Sequence, residues 1–146
     1  MSRTMLAPAL LAVLAVLGCA DATAAPGPGA PGTGGAAPRS ATADDILGRW
    51  FPADGTAQGR AFAEFAADGG WTGSDGCNGQ RGTWTLGPDG DGTFDGTAGM
   101  STMIGCENVP IARWIADAGR AELHGGDLVL RDASGAQQAR LVRELP

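Results

Sequence analysis

The chain has no lysine and no tyrosine, a single histidine, three cysteines, and no apolar run approaching the twenty or so residues that a membrane-spanning helix needs. Each shortage closes a class of function. A formal charge of -6 with no basic cluster repels phosphate backbones, which excludes nucleic acid as a partner and excludes charge-driven binding to anionic lipid. One histidine and no Cys-x-x-Cys spacing leave a zinc site short of ligands, so neither a metal nor a cofactor is expected. A Ser-His-Asp scheme would have to use His124 with Ser74 or Ser101, and neither serine sits in a Gly-x-Ser-x-Gly elbow. His124 reads as the end of a strand before Gly125-Gly126, and the carboxylates are scattered singly. The expectation is therefore a protein that is not an enzyme, with a weak hydrolase using His124 as the alternative.

What is present begins with a leader. Arg3 is followed by an apolar run from Met5 to Leu17 broken only by Pro8, the layout of a signal peptide. It ends in Val16-Leu17-Gly18-Cys19, which resembles the bacterial lipobox, where a small residue precedes a cysteine that is diacylated before cleavage on its amino side. Residues 1–18 are accordingly expected to be removed, with Cys19 carrying the lipid. The competing reading is an ordinary secretory signal cut near Ala20 to Ala25. Two acyl chains give a stable anchor where one binds only reversibly, since each buried methylene contributes about 0.8 kcal/mol. The membrane is thus the first expected partner, reached through Cys19, and the location is extracytoplasmic.

From Ala20 to Ala43 the chain is almost wholly Ala, Gly, Pro, Thr and Ser, too poor in large apolar side chains to offset ordering entropy. Residues 19–43 are expected to form a disordered tether, and residues 44–146 a single folded domain. In that domain apolar residues recur in short stretches between Gly-rich turns, a mainly β pattern. Strands are expected at 61–65, around Trp71-Thr72 after an Asp68-Gly69-Gly70 turn, and at 82–86, 93–97, 120–124, 128–131 and 139–143. One helix is expected at 110–118, where Ile111, Trp114, Ile115 and Ala118 form a single apolar stripe, with Pro110 in its first turn and Gly119 as its stop. Trp114 is read as core rather than as a platform for a ligand. The fold class is α+β with β dominant: a small antiparallel sheet or cracked barrel with one packed helix.

Four tryptophans and four phenylalanines against 25 glycines make a thin core that an extra staple would help. With Cys19 assigned to lipid, Cys77 and Cys106 remain as an even pair outside the cytoplasm, for which a disulfide is the natural assignment; two free thiols or a metal site are the alternatives. Asp89-Gly90-Asp91-Gly92 hints at a calcium loop, but Thr93 and Met100 stand where that loop needs ligands, and Asp-Gly pairs are ordinary turn chemistry.

The densest local signal is Trp71-Thr72-Gly73-Ser74-Asp75-Gly76-Cys77-Asn78-Gly79, followed by Gly82-Thr83-Trp84 and answered by Ser101 to Cys106. Together with the closing strands Asp127 to Leu130 and Arg140 to Arg143, these segments resemble the META domain, also called the HslJ-like family, over about Leu47 to Arg143. The resemblance implies a compact β-sheet or cracked-barrel domain with one helix, in envelope lipoproteins linked to stress response and antibiotic tolerance, without established enzymatic activity. Met103, Ile104 and Gly105 depart from the family's Arg-Met-Ala at those positions, so a role tied to that arginine does not carry over. Trp71, Asp75 and Asn78 are the candidate binding surface, for an envelope protein or a small apolar ligand; a purely structural partnership with another envelope protein is the remaining alternative.

Overall fold

In the computed structural model the described residues run from 36 to 145, apart from 56, 58, 59, 103, 104, 106 and 107. The expected signal peptide, Cys19, the tether up to residue 35, and Cys106 lie outside them. The elements are β1 (Arg39–Ser40), α1 (Ala43–Ile46), β2 (Gly48–Pro52), β3 (Ala61–Phe65), β4 (Gly70–Asp75), β5 (Gly79–Leu86), a 3-10 turn at Pro88–Gly90, β6 (Phe94–Gly96), α2 (Ile111–Asp117), β7 (Arg120–His124), β8 (Asp127–Arg131) and β9 (Gln137–Val142). They form one antiparallel sheet in the order β1-β7-β8-β9-β2-β3-β4-β5-β6. The sheet is curled into a half-barrel with α2 packed against it, so the expected fold class is what the chain adopts.

The curl is strong enough to bring the far end of the sheet back to β7. The Phe94 amide donates to the Gly119 carbonyl, the Ala121 amide donates to Gly92, and Thr93 bridges Arg120. Just beyond, β1 takes up the same side of β7, with Arg39 opposite Leu123 and Ser40 opposite Glu122. Regular structure therefore includes part of the stretch expected to be tether, and Ala41 is completely buried. Composition concealed this because β1 is held by β7, some eighty residues away in sequence, rather than by any apolar pattern of its own.

The short helix α1 was also unforeseen. Thr42 accepts the Asp45 amide while the Asp45 carboxylate takes the Thr42 amide at 2.8 Å, a reciprocal capping box. Arg39 grips the same carboxylate at 2.6 and 2.7 Å, and these hydrogen bonds hold Asp45 well below the usual carboxylate range. Helix α2 fills the expected span to within one residue at each end, but its ends are built differently. Pro110 is the N-cap residue and offers no side-chain cap. Gly119 does not adopt a left-handed conformation; it follows an extended Ala118, and a Cβ there would come within 3.2 Å of the Ala133 amide nitrogen. Its value is close approach to the turn after β8.

The core lies inside the curl. Strands alternate as their pleat requires, so β3 turns Ala61, Ala63 and Phe65 inward, and β4 turns Trp71 and Gly73. Phe65, Trp84 and Phe94 form an aromatic cluster, with edge-on contacts at 5.6 and 6.3 Å and a stacked pair at 6.5 Å. Ile111, Ile115 and Ala118 of the predicted stripe are buried, whereas Trp114 is only half-buried and packs on the edge of the core.

Candidate functional site

The turn from β4 to β5 carries the densest polar chemistry among the described residues. Ser74, Asp75, Gly76, Cys77 and Asn78 reverse the chain, and Gly76 sits at φ 104°, a conformation side-chain-bearing residues rarely adopt. The Ser74 hydroxyl accepts the Gly76 amide at 3.0 Å. The Asp75 Oδ1 accepts the backbone amides of Cys77 at 2.8 Å and Asn78 at 2.6 Å. Its Oδ2 accepts the side-chain amides of Asn78 at 3.0 Å, Asn108 at 3.3 Å and Gln80 at 3.5 Å. Burial pushes the Asp75 carboxyl upward, but these donors outweigh it and leave the group below its ordinary value.

The network reaches three parts of the chain. Thr102 donates to Asn78 Oδ1 at 2.9 Å, and the Val109 amide donates to the Asp75 carbonyl at 2.8 Å, which fastens both described ends of the loop between β6 and α2. Gln80 Oε1 accepts the Ala112 amide at 3.1 Å, supplying from β5 the cap that Pro110 lacks. Above the turn, the Trp71 indole donates to the Thr97 carbonyl at 2.7 Å. That contact depends on Gly82, since a Cβ there would lie 1.8 Å from the Thr97 oxygen and 2.5 Å from the indole nitrogen.

Trp71, Asp75 and Asn78 are thus brought together, and at 1%, 4% and 3% exposure they lie almost wholly inside the protein. Their polar groups bond within the protein: the Trp71 indole to Thr97, the Asp75 carboxylate to the turn and to Asn108, and Asn78 to Asp75 and Thr102. Sequence reading found the turn and missed Gln80, Thr102 and Asn108. The only local signal for them was an amide or hydroxyl side chain beside the Gly-rich turn or beside the second cysteine. Cys77 is half-buried on the turn, and Cys106 lies outside the described residues.

His124 lies elsewhere, on the outer face of β7. Its Nε2 is 2.9 Å from Glu122 Oε2, which also accepts Arg131 Nε at 2.8 Å. Hydrogen bonds from Arg131, then His124, hold the Glu122 carboxyl below its usual range. Ser74 is engaged by its own turn and Ser101 donates to the Thr102 carbonyl, so neither serine is paired with the histidine. In the Asp-Gly stretch, Asp91 accepts the Thr93 amide at 2.7 Å and the Thr93 hydroxyl at 2.9 Å, a turn closed on itself. Among the described residues no group of three or more His, Cys, Asp or Glu side chains is placed to hold a metal ion.

A family model described as the META domain matches residues 45–144. No curated protein and no solved structure matches the chain.

Proposed function

Because this chain belongs to the META domain family, we propose that it is a non-catalytic cell-envelope lipoprotein whose META domain serves as a binding or accessory module in envelope stress or antibiotic tolerance. The observation that carries the non-catalytic reading is Asp75. It is the most deeply buried carboxylate among the described residues, its oxygens are taken by amide donors, and it is held in its charged form. A base or nucleophile needs a lone pair aimed at a substrate; this carboxylate acts as a latch on the loop between β6 and α2. The anchor reading is supported by the apolar leader and by Val16-Leu17-Gly18-Cys19, whose lipobox-like pattern suits diacylation of Cys19 and export of the domain.

A Cys77–Cys106 disulfide belongs to the same reading. Asp75 and Asn78 flank Cys77, Thr102 and Val109 flank Cys106, and the two flanking pairs are hydrogen-bonded to one another. The described residues on either side of the two cysteines are therefore neighbours, which supports the pairing. Non-reducing mass spectrometry of the exported protein tests the bond, and two free thiols would sink it.

The anchor is tested by growing cells that produce the chain in the presence of an alkyne-tagged fatty acid. Wild type should take up the tag and sediment with membranes, while Cys19→Ala should do neither. Membrane retention of Cys19→Ala equal to wild type would overturn the lipoprotein reading. For tolerance, a strain lacking the protein should lose survival under a cell-envelope antibiotic and regain it with wild type but not with Cys19→Ala; unchanged survival of the deletion strain removes that role.

A further inference from the structure

Three of the four tryptophans spend the indole N–H inside the protein. Trp50 donates to Ile46 and Trp71 to Thr97, both at 2.7 Å, and Trp84 donates to Ala66 and Gly70, both at 3.1 Å. Trp114 is the exception. Among the described residues no buried side-chain nitrogen lacks a partner, and the Trp114 N–H has none, so it reaches solvent. Indole pairs a large apolar ring with one strong donor, and a buried one ordinarily finds an acceptor. Here the donor is left for something outside the chain.

Trp114 lines an open depression of about 620 Å³ between α2, the end of β2 and the β8–β9 hairpin. Val142 and the Trp114 ring supply exposed apolar surface, with Pro52 and Ala139 buried beneath, and Asp127, Gln137 and Arg140 supply polar groups. Arg140 and Asp127 are joined at 2.6 Å, so together they bring planar hydrogen-bonding groups without net charge. Asp54 is the one further charged residue in the lining, which disfavours an anionic ligand. An open N–H disfavours an ammonium ligand, because it calls for an acceptor. The remaining fit is a neutral, hydroxyl-rich molecule with an amide carbonyl and an apolar tip.

We propose that this depression binds an N-acetylated hexosamine unit of a glycan. The acetamido carbonyl accepts the Trp114 N–H, its methyl lies against Val142, and neighbouring hydroxyls are met by Asp127, Arg140 and Gln137. A mostly apolar concavity with a few directional polar groups is the usual form of a small-ligand site. The site gives the binding-module reading a ligand class and rests on that reading, but not on the lipid anchor.

The test is fluorine NMR of the mature, detergent-solubilised protein labelled with 5-fluorotryptophan, which gives one resonance per tryptophan, with the Trp114 line assigned by its loss in Trp114→Phe. Titration with chitotetraose should move the Trp114 line saturably and leave those of Trp50, Trp71 and Trp84 in place, while maltotetraose, lacking the acetamido group, should move none. In calorimetry, Trp114→Phe should bind chitotetraose about tenfold more weakly, the cost of one lost hydrogen bond. A Trp114 line that stays still at millimolar chitotetraose overturns the site, and equal shifts with both sugars overturn acetamido recognition. Either result leaves the Cys19 anchor standing, just as failure of the anchor would leave the titration unchanged.

Discussion

A carboxylate buried without a cation is costly unless its lone pairs are taken, and at Asp75 donors from Cys77, Asn78, Asn108 and Gln80 converge on the two oxygens. Asp75→Asn keeps the shape but turns an NH₂ group toward some of those donors. It should cost about 3 kcal/mol, the range for charge-assisted hydrogen bonds lost in a buried site, read as a lower urea midpoint. The sign of the pH dependence follows from the depressed folded-state value. The unfolded carboxyl titrates near pH 3.9 (about) and binds protons first as pH falls, so the Asp75 contribution is intact above that point and is lost as pH drops through the lower folded value. Urea melts of wild type between neutral and strongly acid pH should show this loss, and Asp75→Asn should show a shallower one. An identical acid slope in the variant would contradict the assignment. From sequence alone, Asp75 and Asn78 stood out as candidate site residues, but the network in which Asp75 accepts its hydrogen bonds did not. Asn108 stands 33 residues from Asp75, and nothing local links the two.

At the scale of elements, alternation and turn residues were sufficient for most of the sheet. The strands at 61–65 and 120–124 fall where they were expected, and α2 differs from its predicted span by a residue at each end. Strands β1 and β2 escaped notice because they are fixed by distant contacts, and α1 because its single turn, capped by Thr42 and Asp45, begins inside a stretch that reads as tether. Arg143, for example, donates to the Asp45 carbonyl at 2.7 Å and lies 3.7 Å from the Trp50 ring centroid, and burial lowers its guanidinium from its ordinary value. Two glycines of β5 make a paired test of the packing described above. Gly82→Ala drives a methyl into the Thr97 carbonyl and the Trp71 indole and should destabilise by about 3 kcal/mol, while Gly79→Ala meets nothing within 4 Å and should be nearly neutral. Comparable melting temperatures for the two would refute the close-approach account. Gln80→Ala should cost about 1 kcal/mol, as the loss of a helix cap does, and hydrogen exchange at the Ala112 amide should quicken more than at Ile115.

For the whole molecule, the thin aromatic core predicts dependence on the proposed Cys77–Cys106 bond. Closing a loop of about thirty residues stabilises by about 3.5 kcal/mol in the chain-entropy model. Reduction should therefore lower the thermal midpoint, and Cys77→Ala with Cys106→Ala should match the reduced wild type and no longer respond to reductant. The curl of the sheet has a separate consequence. The terminal strands of the order, β1 and β6, are the two shortest, at two and three residues, and both lie along β7 rather than facing open solvent as long ribbons. An exposed edge is a template on which a second chain can add a strand, and among the described residues the two end strands of this sheet offer little of one. Copies of the domain crowded side by side would meet at these two edges through side chains and not through backbone, so high local density carries little risk of cross-β aggregation there.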